Sequence, residues 1–218
     1  MMIKKIYNIL LLLFICSNNA LADDHNDPLQ TFLENFNSLE SNFIQQLINE
    51  NGEVLEKSEG ILLLQQPGKF NWTYKTPYAQ KIISNGDVLW IFDEDLEQLT
   101  IRNIGNALDE TPAGIILGNN DINEHFVQVG IGLIDGYDWI ELTPKKTETQ
   151  YKNIRIGFND TQLGMMIIVD NLGQTTRIDF INVKKNAELQ PSSFELETPA
   201  DVDVIDEREV TETSEMNS

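Results

Sequence analysis

Cysteine is almost missing from this chain. The single one, Cys16, lies in an apolar stretch near the N-terminus. A domain beginning after it has no disulfide and no thiol chemistry. Histidine is scarce as well: His25 and His125 are the two in the sequence. His25 sits beside the expected cleavage site and His125 in a polar segment where nothing nearby resembles a metal-ligand set. Positive charge is in short supply, with 15 lysines and arginines against 35 aspartates and glutamates and a formal net charge of −20. Such a balance repels phosphate backbones and anionic membrane surfaces, so nucleic acid is excluded as a partner. Long apolar runs are also lacking. The longest, Ile6 to Cys16, is well short of the roughly 20 residues of a membrane span.

That run nevertheless carries information. Lys4 and Lys5 precede it, and Ala20-Leu21-Ala22 follows as a small-x-small site. This order reads as a secretory signal, residues 1–22, cleaved after Ala22. A single exported domain is then expected over 23–205, held by its own core. Residues 206–218 read as an acidic, solvated tail, or as a tether for a basic partner.

Catalytic signatures are absent. No serine stands in a Gly-x-Ser-x-Gly elbow. Asp93-Glu94-Asp95 lacks the spaced ligands and glycine of a calcium loop and reads as a solvated turn. Nothing singles out a carboxylate pair for glycoside chemistry, although a hydrolase of that kind stays open at this point. The expectation is a protein that is not an enzyme and uses no cofactor or metal.

Aromatic and branched residues are what the chain does have. Leu29, Phe32, Leu33 and Phe36 fall on one face of a helix read over Pro28 to Leu39, with Asp27 as its cap. From Asn42 onward the pattern is of strands. Asn51-Gly52, Pro67-Gly68, Asn85-Gly86-Asp87 and Asp170-Asn171-Leu172-Gly173 mark turns between them. Ser193 to Leu196 reads as the last strand. About eleven strands joined by short turns argue for one antiparallel sheet curled into a barrel or half-barrel. A short apolar helix interrupts them, opened by Asp109-Glu110-Thr111-Pro112, closed by Gly118, and carrying Ala113, Ile115, Ile116 and Leu117. It has to pack across the sheet or cap its mouth.

Alternation sorts the strand side chains. Leu62 and Leu64 share a face, as do Phe70, Trp72 and Tyr74, and likewise Trp90 and Phe92. Ile154, Ile156 and Phe158 share one, and so do Ile178 and Phe180. Asn71, Thr73, Lys75, Arg155, Arg177 and Asp179 point the other way. The sheet has one greasy face and one mostly wet face. Two readings remain open: a plain aromatic core, or a wall built to touch something apolar.

A wider pattern runs through the chain. It includes Phe43-Ile44-Gln45-Gln46, Gln66-Pro67-Gly68-Lys69-Phe70-Asn71-Trp72 and Ile83-Ser84-Asn85-Gly86-Asp87-Val88-Leu89-Trp90-Ile91-Phe92-Asp93. Leu96-Glu97-Gln98, Thr111-Pro112, Leu142-Thr143-Pro144-Lys145, Phe194-Glu195-Leu196 and Pro199 continue it. In this order, these segments resemble the periplasmic outer-membrane lipoprotein carrier family, LolA. The resemblance implies a mainly β fold with short helices: an incomplete antiparallel β-barrel with a helical lid over an apolar cavity. It further implies a monomer that takes the acyl chains of lipoproteins released by an inner-membrane ABC-type complex. The cargo would pass to an outer-membrane acceptor, LolB.

On that reading Leu62, Leu64, Phe70, Trp72, Tyr74, Trp90 and Phe92 line the cavity with Ile154, Ile156, Ile178 and Phe180. Ala113, Ile115, Ile116 and Leu117 form the lid. Many family members place an arginine before the proline of the Gln66-Pro67 motif, where it holds lid backbone groups. Gln66 has no charge and fewer donors, so a weaker latch is expected here. The alternatives are a carrier or sensor of another amphiphile, the carboxylate hydrolase, and the acceptor itself. The acceptor needs a lipidated cysteine, and Ile15 before Cys16 makes a poor lipidation site.

Overall fold

The computed structural model describes residues 27–104, 112–117, 122–146 and 149–208. The signal segment, His25, Asp109-Glu110-Thr111, Gly118 and the chain from 209 onward lie outside the described residues.

The chain opens with α1 (Pro28–Leu33) and continues through β1 (Ser38–Ile48), β2 (Val54–Gln65), β3 (Lys69–Thr76), β4 (Gln80–Asn85), β5 (Val88–Asp93) and β6 (Gln98–Asn103). Two short helices follow, α2 (Pro112–Leu117) and α3 (Ile122–His125). Then come β7 (Phe126–Ile134), β8 (Tyr137–Pro144), β9 (Tyr151–Asn159), β10 (Gln162–Asp170), β11 (Thr175–Lys185) and β12 (Asp203–Asp206). The twelve strands form one sheet in the order β12-β6-β5-β4-β3-β2-β1-β11-β10-β9-β8-β7. Antiparallel pairing of β1 with β11 joins the two halves. The ends, β12 and β7, are not paired with each other, so the sheet stays open.

The turns follow from their residues. Asn85 Oδ1 accepts from Asp87 N at 3.0 Å and Val88 N at 2.9 Å, and Gly86 takes φ +103° between them. Asp170 Oδ1 does the same for Leu172 N and Gln174 N, both at 2.8 Å. These local bonds fix the register of the strands that they join. Asp27 caps α1, accepting from Leu29 N and Gln30 N.

Three expectations about elements are corrected. The first helix does not reach Leu39; Asn35, at φ 54°, stops it, and Leu39 belongs to β1. Phe36 and Leu39 are buried all the same, so helical spacing and the observed path bury the same residues. Ser193 to Leu196 is not a strand. Pro191–Phe194 form a 3-10 helix, with proline at its start. Finally, the acidic end supplies β12, which pairs in parallel with β6. Glu207 N still donates to Ile101 O at 2.7 Å, so pairing runs past the boundary expected at 205.

Two apolar clusters lie on opposite faces of the sheet. The larger gathers side chains from both halves of the sheet around α1 and α2. The smaller holds Phe92, Leu99 and Ile101, with Val88, Trp90, Leu196 and Val202 packed on it. The returning C-terminal segment thus covers the outer face of β5 and β6, and Asn71 Nδ2 donates to Ser193 O at 2.7 Å farther along the same face.

Candidate functional site

The larger cluster is the concave face. β2 contributes Leu62 and Leu64, both fully buried, and β3 contributes Phe70, Trp72 and Tyr74. β9 adds Ile154, Ile156 and Phe158, and β11 adds Ile178 and Phe180. These expected wall residues come together on one surface. Trp90 and Phe92 do not join them. In β5 it is Leu89 and Ile91 that face inward, and Trp90 and Phe92 belong to the outer cluster. The run Val88-Leu89-Trp90-Ile91-Phe92 is apolar at every position because both faces of that strand are covered, so alternation could not choose.

Other wall residues went unassigned in the sequence reading. Phe43 on β1 is the chief one. Its ring sits 5.3 Å from Trp72 and edge-on to Tyr74 at 5.2 Å. Its room comes from Gly60 opposite, where a Cβ would stand 2.7 Å from the Phe43 ring and 2.0 Å from Thr73 O. Phe32 of α1, 5.6 Å from Phe158, is another. The helical spacing of Leu29 and Phe32 carried the signal, because so short a helix has to lie on something apolar.

Two helices cover this face. Leu29 and Phe32 descend from α1, and Ala113, Ile115, Ile116 and Leu117 descend from α2. All of these are buried. Among the described residues, polar contacts from three side chains tie the covers to the sheet. Gln66 Nε2 donates to Leu117 O at 2.8 Å, joining the end of β2 to the end of α2. Lys185 Nζ donates to the carbonyls of Phe32 and Glu34 at 2.6 and 2.8 Å and so caps α1 at its C-terminus. Gln128 Nε2 donates to the Asp27 carboxylate from the edge strand β7. A cavity of about 160 Å³ lies at the seam of α1, α3 and β7, among Asp27, Leu29, Leu33, Ile122 and Gln128.

The polar content of the face is sparse. Tyr74 OH donates to Gln45 Oε1 at 3.1 Å. Burial pushes the Tyr74 hydroxyl up to about 12; the Gln45 bond works against this and the Glu56 charge adds to it. The phenol therefore stays neutral at any physiological pH. Trp72 Nε1 is sealed from solvent without a partner. Among the described residues no three His, Cys, Asp or Glu side chains gather as a metal site.

An open antiparallel sheet with an apolar concave face, covered by short helices, defines a half-barrel. The chain belongs to the family described as outer membrane lipoprotein carrier protein LolA, whose profile matches residues 34–197. The outer-membrane lipoprotein carrier protein of Nitrosospira multiformis is 36% identical over 180 residues, covering 82% of this chain and 87% of that one. The protein of the same name from Methylococcus capsulatus is 37% identical over 180 residues, covering 83% and 86%. Among solved structures, an uncharacterized conserved protein from Thermus thermophilus aligns with TM-score 0.50 at 12% identity, covering 83% of this chain and 95% of that one; it shares the fold.

Proposed function

We propose that this protein is a periplasmic chaperone that carries acylated lipoproteins between membranes, with the concave face as the seat of the acyl chains. The observation that carries this reading is the cover. α2 is six residues long, and three consecutive large apolar residues, Ile115, Ile116 and Leu117, are buried beneath it. Burying each such side chain stabilises by about 1.5–3 kcal/mol, so the helix is held by roughly 5–9 kcal/mol. An acyl methylene taken out of water contributes about 0.8 kcal/mol. Ten or so methylenes therefore match what the lid residues contribute. Acyl chains and lid compete for one surface, so reburial of the lid offsets part of what the cargo gains and favours its release.

Cargo would be received from an inner-membrane ABC-type complex and surrendered to the acceptor LolB. The leader is removed after Ala22, and the exported chain acts as a monomer. Gln66 serves as the latch on α2 through its bond to Leu117 O. A single neutral hydrogen bond contributes about 0.5–1.5 kcal/mol, and one from a charged donor about 1.5–3.

The test is to mix the exported protein with a triacylated lipoprotein, remove detergent, and follow size-exclusion elution. A soluble complex of one carrier and one cargo is expected. Gln66→Arg is expected to load several-fold more slowly than the wild type. Cargo that aggregates whether or not the carrier is present would overturn the carrier reading. Equal loading rates for wild type and Gln66→Arg would overturn the latch.

A further inference from the structure

The concave face contains N–H groups that the protein leaves unanswered. Trp72 is 4% exposed, and its Nε1 has no hydrogen-bond partner. Arg102 Nε is sealed and unpartnered in the same way. Arg102 stands opposite Leu89 across the β5–β6 pair, and opposed residues share a face. Leu89 belongs to the concave cluster, so Arg102 lies on that side. The third sealed atom, Asn153 Oδ1, is an acceptor, but Asn153 alternates with Ile154 and so lies on the other face. Among the described side chains, then, the unanswered polar atoms of the concave face are both donors. A sealed donor without a partner is unfavourable, and a pocket for hydrocarbon alone would be as well served by phenylalanine.

The surroundings of Trp72 sharpen this. Its neighbours are the rings of Phe43 at 5.3 Å and Tyr74 at 6.4 Å. The nearby polar pair is already closed, since Tyr74 OH is engaged with Gln45. An acceptor on a ligand entering this face would answer the Trp72 N–H. Such a ligand has to offer an acceptor and enter attached to apolar mass.

We propose that Trp72 reads the carbonyl oxygen that joins an acyl chain to its cargo, with Nε1–H donating to the ester or amide C=O. This rests on the carrier reading and deepens it. The bulk of the pocket is non-directional, because apolar contact carries no register. One fixed donor sets how deep the linkage enters and separates acylated cargo from other greasy molecules of equal length.

The test uses the full exported chain and two fluorescent glycerolipids of identical chain length, one ester-linked and one ether-linked. The wild type is expected to bind the ester probe about five- to tenfold more tightly, the scale of one buried hydrogen bond. In Trp72→Phe, which keeps an aromatic ring and removes the N–H, the ratio is expected to fall to about one. A wild type without ester preference, or a Trp72→Phe protein that retains it, overturns the inference and leaves the carrier reading standing. A wild type that binds neither probe overturns the carrier reading itself.

Should Trp72→Phe fail to fold, the indole N–H resonances of the wild type decide. Trp90 and Trp139 serve as internal references, because Trp90 packs in the outer cluster and Trp139 Nε1 is already bonded to Ile134 O at 3.2 Å. The Trp72 signal is expected to move downfield with the ester probe and not with the ether probe. Equal movement with both overturns the inference.

Discussion

Gly60→Ala is expected to destabilise the protein by about 4 kcal/mol or more, the scale of a severe core disruption. The added methyl would meet the Thr73 carbonyl at 2.0 Å and two carbons of the Phe43 ring at 2.7 Å. Neither neighbour can yield cheaply. Thr73 O belongs to the backbone of β3, so relief requires parting β2 from β3. The Phe43 ring is backed by Trp72 and Tyr74. For a chain of this size, the loss corresponds to a fall in Tm of about 8 °C or more in thermal unfolding followed by circular dichroism. Gly130→Ala is the control, because nothing lies within 4 Å of a Cβ there. That change is expected to stay within about 0.5–1 kcal/mol of the wild type. Equal melting of the two variants would mean that the close approach of Phe43 to β2 does not hold the wall together.

Ile116→Asp is expected to free the lid without dissolving the sheet. Ile116 is 1% exposed in α2. A carboxylate at that depth loses its water among the apolar side chains of the cluster, and burying a charge there is costly. The sheet has twelve strands, while the helix has six residues and little stability of its own. Release of α2 is the path of least cost. An environment-sensitive apolar dye is expected to bind tenfold or more better than to the wild type, from the lost burial of one isoleucine. The far-ultraviolet β signal is expected to persist. Dye binding like that of the wild type would mean that α2 does not cover the apolar face. Collapse of the β signal would mean that α2 is an integral part of the core and not a lid.

Much of the sheet was legible because its turns announce themselves. Asn85-Gly86 and the Asp170 turn carry their own hydrogen bonds, and alternation correctly grouped Phe70 with Trp72 and Ile154 with Ile156. Alternation failed where it had to. Val88 to Phe92 is covered on one side by the concave cluster and on the other by Leu196 and Val202, which return from about a hundred residues later in the chain. No local pattern foretells that covering. The strand Asp203–Asp206 was hidden for a similar reason, since two acids flank Val204-Ile205 and only the free edge of β6 makes a strand of them. The bond from Gln66 to α2 was foreshadowed only by the family resemblance; nothing in its own sequence neighbourhood points to Leu117 O, fifty-one positions away.

Displacement of the lid by cargo is the central claim, and hydrogen exchange over residues 112–117 tests it most directly, with and without a bound triacylated lipoprotein. Cargo is expected to speed exchange in α2 by tenfold or more, while the amides of β2 and β3 stay as protected as before or become more so. An α2 that remains fully protected in the loaded carrier would contradict the claim, because acyl chains and lid side chains could not then be sharing one surface.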